Sequence, residues 1–141
     1  VIMKLFLDAN VLIDFMSERL PHYLEAATIF TLAVEHKCTI AVSSLSMVTS
    51  NYICCERCNM PLADWKKKAN IMKSFVEVCS VDSEDIFFSC DSDWRDYEDN
   101  VQYEVAKRYV CDVIVTRNPQ DFAQSDIPVL TPDEVIEIID K

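Results

Sequence analysis

The sequence predicts a three-layer α/β/α domain with a central, mostly parallel sheet of about five strands. Three observations carry this. Short apolar runs rich in Val, Ile, Leu and Phe recur along the chain and read as strands buried on both faces. Stretches with helical i, i+3, i+4, i+7 spacing separate them, and such alternation from end to end is the pattern of a parallel sheet. Carboxylates then follow the strands, on the edge where open α/β folds keep their sites.

The elements follow in order. Leu5-Phe6-Leu7 is the first strand and ends at Asp8. Asn10 caps a short helix through residue 15. Residues 22–35 are helical, with Ala26, Ile29, Phe30, Ala33 and Val34 on one face. Residues 39–42 form a buried strand, after which Ser43 or Ser44 caps a helix to about residue 57. Asn59-Met60-Pro61 turns the chain into a helix over 63–74. A third strand lies within 75–81, Ser83 opens a short helix to 88, and 90–95 is a polar loop. Residues 96–110 form a helix with an apolar stripe (Tyr97, Val101, Val105, Tyr109) and a separate face bearing Asp96, Asp99, Asn100 and Tyr103. Residues 113–115 are a buried strand ending at Thr116. Pro119 starts one helical turn, and 127–130 is a short strand. Thr131-Pro132-Asp133-Glu134 is a capping box opening a last helix, with Val135, Ile138 and Ile139 inward.

With 141 residues, no repeat and no linker, 1–141 reads as one domain with one core. Glycine is absent, which excludes glycine-rich phosphate and dinucleotide loops and passes positive-φ positions to Asn and Asp. Seven irregularly spaced cysteines point to a reducing, cytoplasmic setting. The Cys54-Cys55-Glu56-Arg57-Cys58 cluster lacks the second pair a structural zinc site needs, so its thiols are read as packing groups. His22 and His36 lack companions at ligand spacing and are read as surface residues. No apolar run reaches the length of a membrane span, and no signal peptide is visible. The net charge of −11 opposes indiscriminate nucleic-acid binding. Lys66, Lys67, Lys68, Lys73, Lys107, Arg108 and Arg117 serve either as solvated faces or as a track for RNA.

Four acids carry the chemistry. Asp8 ends the first strand, Asp96 and Asp99 open the long acidic helix, and Asp121 follows the 113–115 strand. Carboxylates gathered from distant segments at one sheet edge make a hard-cation site, as Mg²⁺- or Mn²⁺-dependent phosphodiester chemistry requires. Each also has a plainer reading: Asp8 and Asp96 as helix caps, Asp99 and Asp121 as first-turn acids.

Leu7-Asp8-Ala9-Asn10-Val11, Asp96-Tyr97-Glu98-Asp99-Asn100-Val101-Gln102, Thr116-Arg117-Asn118-Pro119-Gln120-Asp121-Phe122 and Ile127-Pro128-Val129-Leu130-Thr131-Pro132 stand in an order and spacing that resemble the PIN domain, the nuclease fold of VapC-type toxins. The resemblance implies a metal-dependent endoribonuclease acting on single-stranded or structured RNA, possible pairing with a small antitoxin protein, and a homodimer. It implies Asp8 and Asp99 as central ligands for Mg²⁺ or Mn²⁺, Asp121 as a further acid and Asp96 in the same cluster. Asn10, Thr116 and Asn118 would be polar supports, and Arg117 a contact to RNA. One departure stands out: the family's extra acid on the helix after the second strand is missing, and Thr49 aligns with its slot. That leaves a degenerate PIN-like binding module as one alternative. A haloacid-dehalogenase-type phosphatase, with Asp8 as nucleophile, is another.

Overall fold

The computed structural model describes residues 2–140. Lys4–Leu7 (β1) forms the middle of a five-stranded sheet because nearly every side chain in it is apolar and can be covered from both sides. Thr39–Ser43 (β2) and Val113–Val115 (β4) flank it, Val76–Cys79 (β3) and Val129–Leu130 (β5) form the edges, and all four pairings are parallel. The order is β3-β2-β1-β4-β5. Leu5 stands opposite Ile40 on one side and Val113 on the other.

Alternation along the strands divides the core into two layers. Leu5, Leu7, Ile40, Val42, Val113 and Val115 face a core that takes in Leu12 and Met16 of α1 (Ala9–Ser17), Ile29 and Phe30 of α2 (Tyr23–Val34), Cys54 of α3 (Ser44–Arg57) and Met72 of α4 (Leu62–Met72). Val135 of α7 (Pro132–Ile139) completes that side. Phe6, Ala41 and Ile114 point the other way, against Val101, Val105 and Ala106 of α6 (Tyr97–Arg108) and Phe122 of a 3-10 turn (Pro119–Phe122). The short α5 (Ser83–Cys90) is fastened to α6 by a bidentate pair: Arg108 Nε and Nη2 donate to the buried Asp85 at 3.2 and 2.7 Å.

Several details differ from expectation for physical reasons. Asp8, not Asn10, caps α1, and the helix runs on to Ser17. The last strand shrinks to two residues: Pro128 has no N–H to donate and only its carbonyl serves the ladder, accepting from Ile114 N–H at 2.9 Å. Tyr97 is 47% exposed and leaves the apolar stripe of α6, whose buried side instead contains Asn100, Gln102 and Tyr103. Val34 and Ile138 are also exposed.

Positive φ is carried by Asn59 as expected but also by Glu18, His36 and Val110. His36 and Val110 end α2 and α6 in Schellman turns, in which Lys37 N–H donates to Leu32 O and Cys111 N–H donates to Ala106 O, satisfying carbonyls the helices leave open. All seven cysteines are free. His22 is half-buried beside Glu25 (2.8 Å), and His36 is exposed. Among the described residues no helix is long and apolar enough to cross a membrane.

Candidate active site

Three helical N-termini meet at the C-terminal edge of the sheet. Asp8 leaves β1 in extended conformation and caps α1, its Oδ1 accepting from Ala9 N–H at 2.8 Å. Asp96 caps α6 by accepting from Asp99 N–H at 2.9 Å, which sets Asp99 in the first turn of that helix. Asp121 lies in the 3-10 turn that Pro119 opens.

Thr116, directly after β4 and fully buried, ties these segments together. Its hydroxyl donates to Asp8 Oδ2 at 2.8 Å and accepts from Asn10 Nδ2 (3.3 Å) and Asn118 N–H (3.1 Å). Asn10 in turn accepts from Arg117 N–H at 3.4 Å. Asn10 and Thr116 therefore form one side-chain network around Asp8, which Asn118 joins only through its backbone N–H. Asp8 is itself buried, yet every bond its carboxylate accepts comes from an uncharged donor.

Burial raises the Asp8 pKa. The bonds from Thr116 and Ala9 lower it in part, while the charges of Glu98 and Asp121 add to the rise. Asp99 is pushed up to about 7, first by burial and then by Asp8, Asp96, Asp121 and Glu98. The charges of the other three predicted acids thus converge on Asp99. A fifth, Glu98, belongs with them, although the sequence singled it out only as a letter between Asp96 and Asp99.

Thr49 is half-buried on α3 and makes no side-chain hydrogen bond among the described residues. Contact between α3 and α6 comes from one turn earlier. Gln102 Nε2 donates to Ser46 Oγ at 2.8 Å, and Ser46 N–H donates to Ser43, the cap of α3. Gln102 Oε1 is buried without a partner among the described residues. Arg117 reaches along α1, where its Nε donates to the buried Asp14 at 2.8 Å.

The donor set is all carboxylate oxygen, matching a hard divalent cation in chemistry and charge. The match lies in kind rather than in preset coordination: among the described residues no three Asp, Glu, His or Cys side chains stand so that they could hold an ion as they are oriented.

Comparison with known proteins places the fold in a family. A curated relative, Ribonuclease VapC1 of Aquifex aeolicus (strain VF5), is 28% identical over 137 residues, spanning 95% of this chain and 94% of its own. Among solved structures, VapBC2 from Rickettsia felis bound to a promoter DNA fragment superposes with a TM-score of 0.65 at 17% identity, covering 92% of this chain and 98% of the other. VapC20 of Mycobacterium tuberculosis, described as a sarcin-ricin-loop-cleaving toxin, gives 0.60 at 14% identity over 78% of this chain and 86% of its own. The PIN domain family pattern matches residues 4–120, which span β1, every predicted acid but Asp121 and the network around Thr116. This chain belongs to the PIN domain family.

Proposed function

We propose that this protein is a metal-dependent endoribonuclease that cuts single-stranded or structured RNA and acts as the toxin of a toxin–antitoxin pair. One observation carries the proposal: buried and half-buried carboxylates share the sheet edge with no cation paired to Asp8 or Asp99 among the described residues, and burial together with the neighbouring acids pushes the Asp99 pKa up to about 7. The name of the Aquifex relative and the titles of the VapBC2 and VapC20 structures support the same reading.

Asp8 and Asp99 would hold Mg²⁺ or Mn²⁺, with Asp121 and Asp96 completing the set; the bound ion would polarise the scissile phosphodiester and lower the pKa of an attacking water. The chain's own part is positional. Thr116 and the α1 N-terminus fix both oxygens of Asp8, so little conformational freedom is lost when they engage a ligand. The N-termini of α1 and α6 place helix dipoles at a spot that must accept anionic substrate. Arg117, held through Nε by Asp14, would be one nearby cation for RNA phosphate through its remaining guanidinium nitrogens.

The antitoxin would be a small protein whose bound segment brings positive charge to an acidic chain, and the toxin itself a homodimer. Thr49 in the slot of the family's extra acid favours one alternative, a PIN-like module that binds without cutting. The family assignment leaves the phosphatase reading without support.

The test is cleavage of single-stranded RNA with Mn²⁺ and with EDTA, run beside melting curves in both. Mn²⁺-dependent cleavage with a Mn²⁺-dependent rise in Tm is expected. A protein that shows neither would be the binding module, and cleavage that survives EDTA would place the chemistry elsewhere.

A further inference from the structure

Beside the acids lies a cavity of about 280 Å³ lined by Arg95, Asp96, Gln120, Asp121, Ala123 and Gln124. It shares two walls, Asp96 and Asp121, with the candidate active site. Its remaining polar groups have another character. Arg95 is exposed and, among the described residues, makes no hydrogen bond or ion pair. The Gln120 amide is exposed and unbonded in the same sense. Gln124 donates from Nε2 to Asp93 at 3.0 Å, which fixes the amide and leaves its carbonyl oxygen available.

Both rims of the cavity are anchored. Trp94, next to Arg95, stacks on Tyr103 with centroids 4.9 Å apart and meets Phe122, next to Asp121, edge-on at 5.9 Å. Phe122 is itself buried in the α6 core layer. Packed aromatics therefore anchor the backbone on both sides of the cavity.

Charge limits what could enter. The chain carries −11, so a polyanion approaches against repulsion and needs local cations. Of the two arginines on the segments that carry Asp96 and Asp121, Arg117 has its Nε taken by Asp14, whereas Arg95 keeps all its donors among the described residues. An amide side chain presents a donor and an acceptor in one plane, the complement of a base edge, and base edges are open only where a nucleotide is unpaired.

We propose that this cavity is a nucleotide subsite for RNA: Arg95 contacts a phosphate next to the scissile one, and Gln120 and Gln124 read the edge of one unpaired base. The inference rests on the ribonuclease reading and gives that reading a specificity element. It predicts one base position beside the cut at which the enzyme discriminates, and a preference for unpaired over duplex substrate.

The test uses the parent, Arg95→Ala and a Gln120→Ala/Gln124→Ala double variant, with melting curves to confirm folding. Cut sites in a random single-stranded RNA pool are mapped with Mn²⁺. Binding of a short labelled single-stranded RNA, and of its duplex, is measured across a salt series in an Asp99→Asn background, where chemistry is off. Arg95→Ala is expected to weaken single-strand binding roughly tenfold and to reduce the salt slope by about one. The double variant is expected to flatten the base preference at a single position next to the cut. An unaltered salt slope together with an unaltered cut-site profile overturns the subsite while leaving the nuclease standing, as does equal binding of duplex and single strand. If the parent cuts no RNA but Arg95-dependent binding of single strands persists, the subsite stands and the nuclease reading falls. Absence of both cleavage and binding removes both.

Discussion

Helix α6 borders two buried carboxylate environments, and they are treated in opposite ways. Near its C-terminus Arg108 grips Asp85 through two nitrogens, reaches Asp82 at 3.2 Å and stacks over the Tyr109 ring at 4.9 Å. Near its N-terminus Asp8 receives only neutral donors, and Asp99, half-buried, has no side-chain partner among the described residues and lies in the field of the other acids. The fold can neutralise a buried acid and does so where the acid fastens one helix to another. At the sheet edge it leaves negative charge uncompensated, which has no structural use and suits a site that awaits a cationic ligand.

The largest expected effect tests the functional half of that contrast. Asp99→Asn should abolish most Mn²⁺-dependent cleavage, a loss on the order of a thousandfold if the carboxylate supplies several kcal/mol to the transition state. A variant retaining a tenth of parental activity in a single-turnover assay would break the comparison. Next comes Thr116→Val, which takes the donor from Asp8 Oδ2 and the acceptor from Asn10 and Asn118. Mn²⁺ affinity, followed by titration calorimetry, should fall roughly 10–100-fold.

The structural half is tested by Arg108→Ala. Unpairing a fully buried acid costs about 3–5 kcal/mol, but Arg108 keeps 29% of its side chain exposed, so a loss of about 2–3 kcal/mol in urea unfolding is expected. Cleavage below the new melting transition should persist.

A subtler effect is the pH dependence without metal. Asp99 titrates near 3.8 when unfolded and near 7 when folded. The folded protein therefore binds the extra proton between these values, and this group makes stability fall as pH rises from about 4 to about 7. Asp99→Asn should remove that contribution, so the two Tm curves diverge with rising pH and Asn is the more stable above 7. Added Mn²⁺ should lift the parent far more than the variant. Parallel curves would mean that Asp99 is not held under charge strain.

Much of this was legible in the chain because its signals are local. Apolar runs at Leu5-Phe6-Leu7 and Val113-Ile114-Val115 could only be buried strands, and the acids following them had to lie at one edge once the sheet was parallel. Glu98 escaped notice because helical spacing sorts residues along a helix side. The acids here surround a helix end, where N-cap, N2 and N3 positions can all face the space beyond the first turn. Gln102 with Ser46, and Arg117 with Asp14, were hidden for another reason: each pair spans a long stretch of sequence, and on its own each member reads as an ordinary helix or loop residue. The failed apolar stripe on α6 belongs with them, since Gln102 is buried by a partner that periodicity cannot see.

The Schellman turns have a consequence for engineering. Val110 adopts φ 55° while 78% exposed, so its β-branched side chain bears the steric cost of the left-handed region and recovers little by burial. Val110→Gly should therefore stabilise the protein by about 1 kcal/mol in denaturant unfolding without altering cleavage. A chain with no glycine has left its helix exits unoptimised, and these offer stabilising substitutions distant from the chemistry.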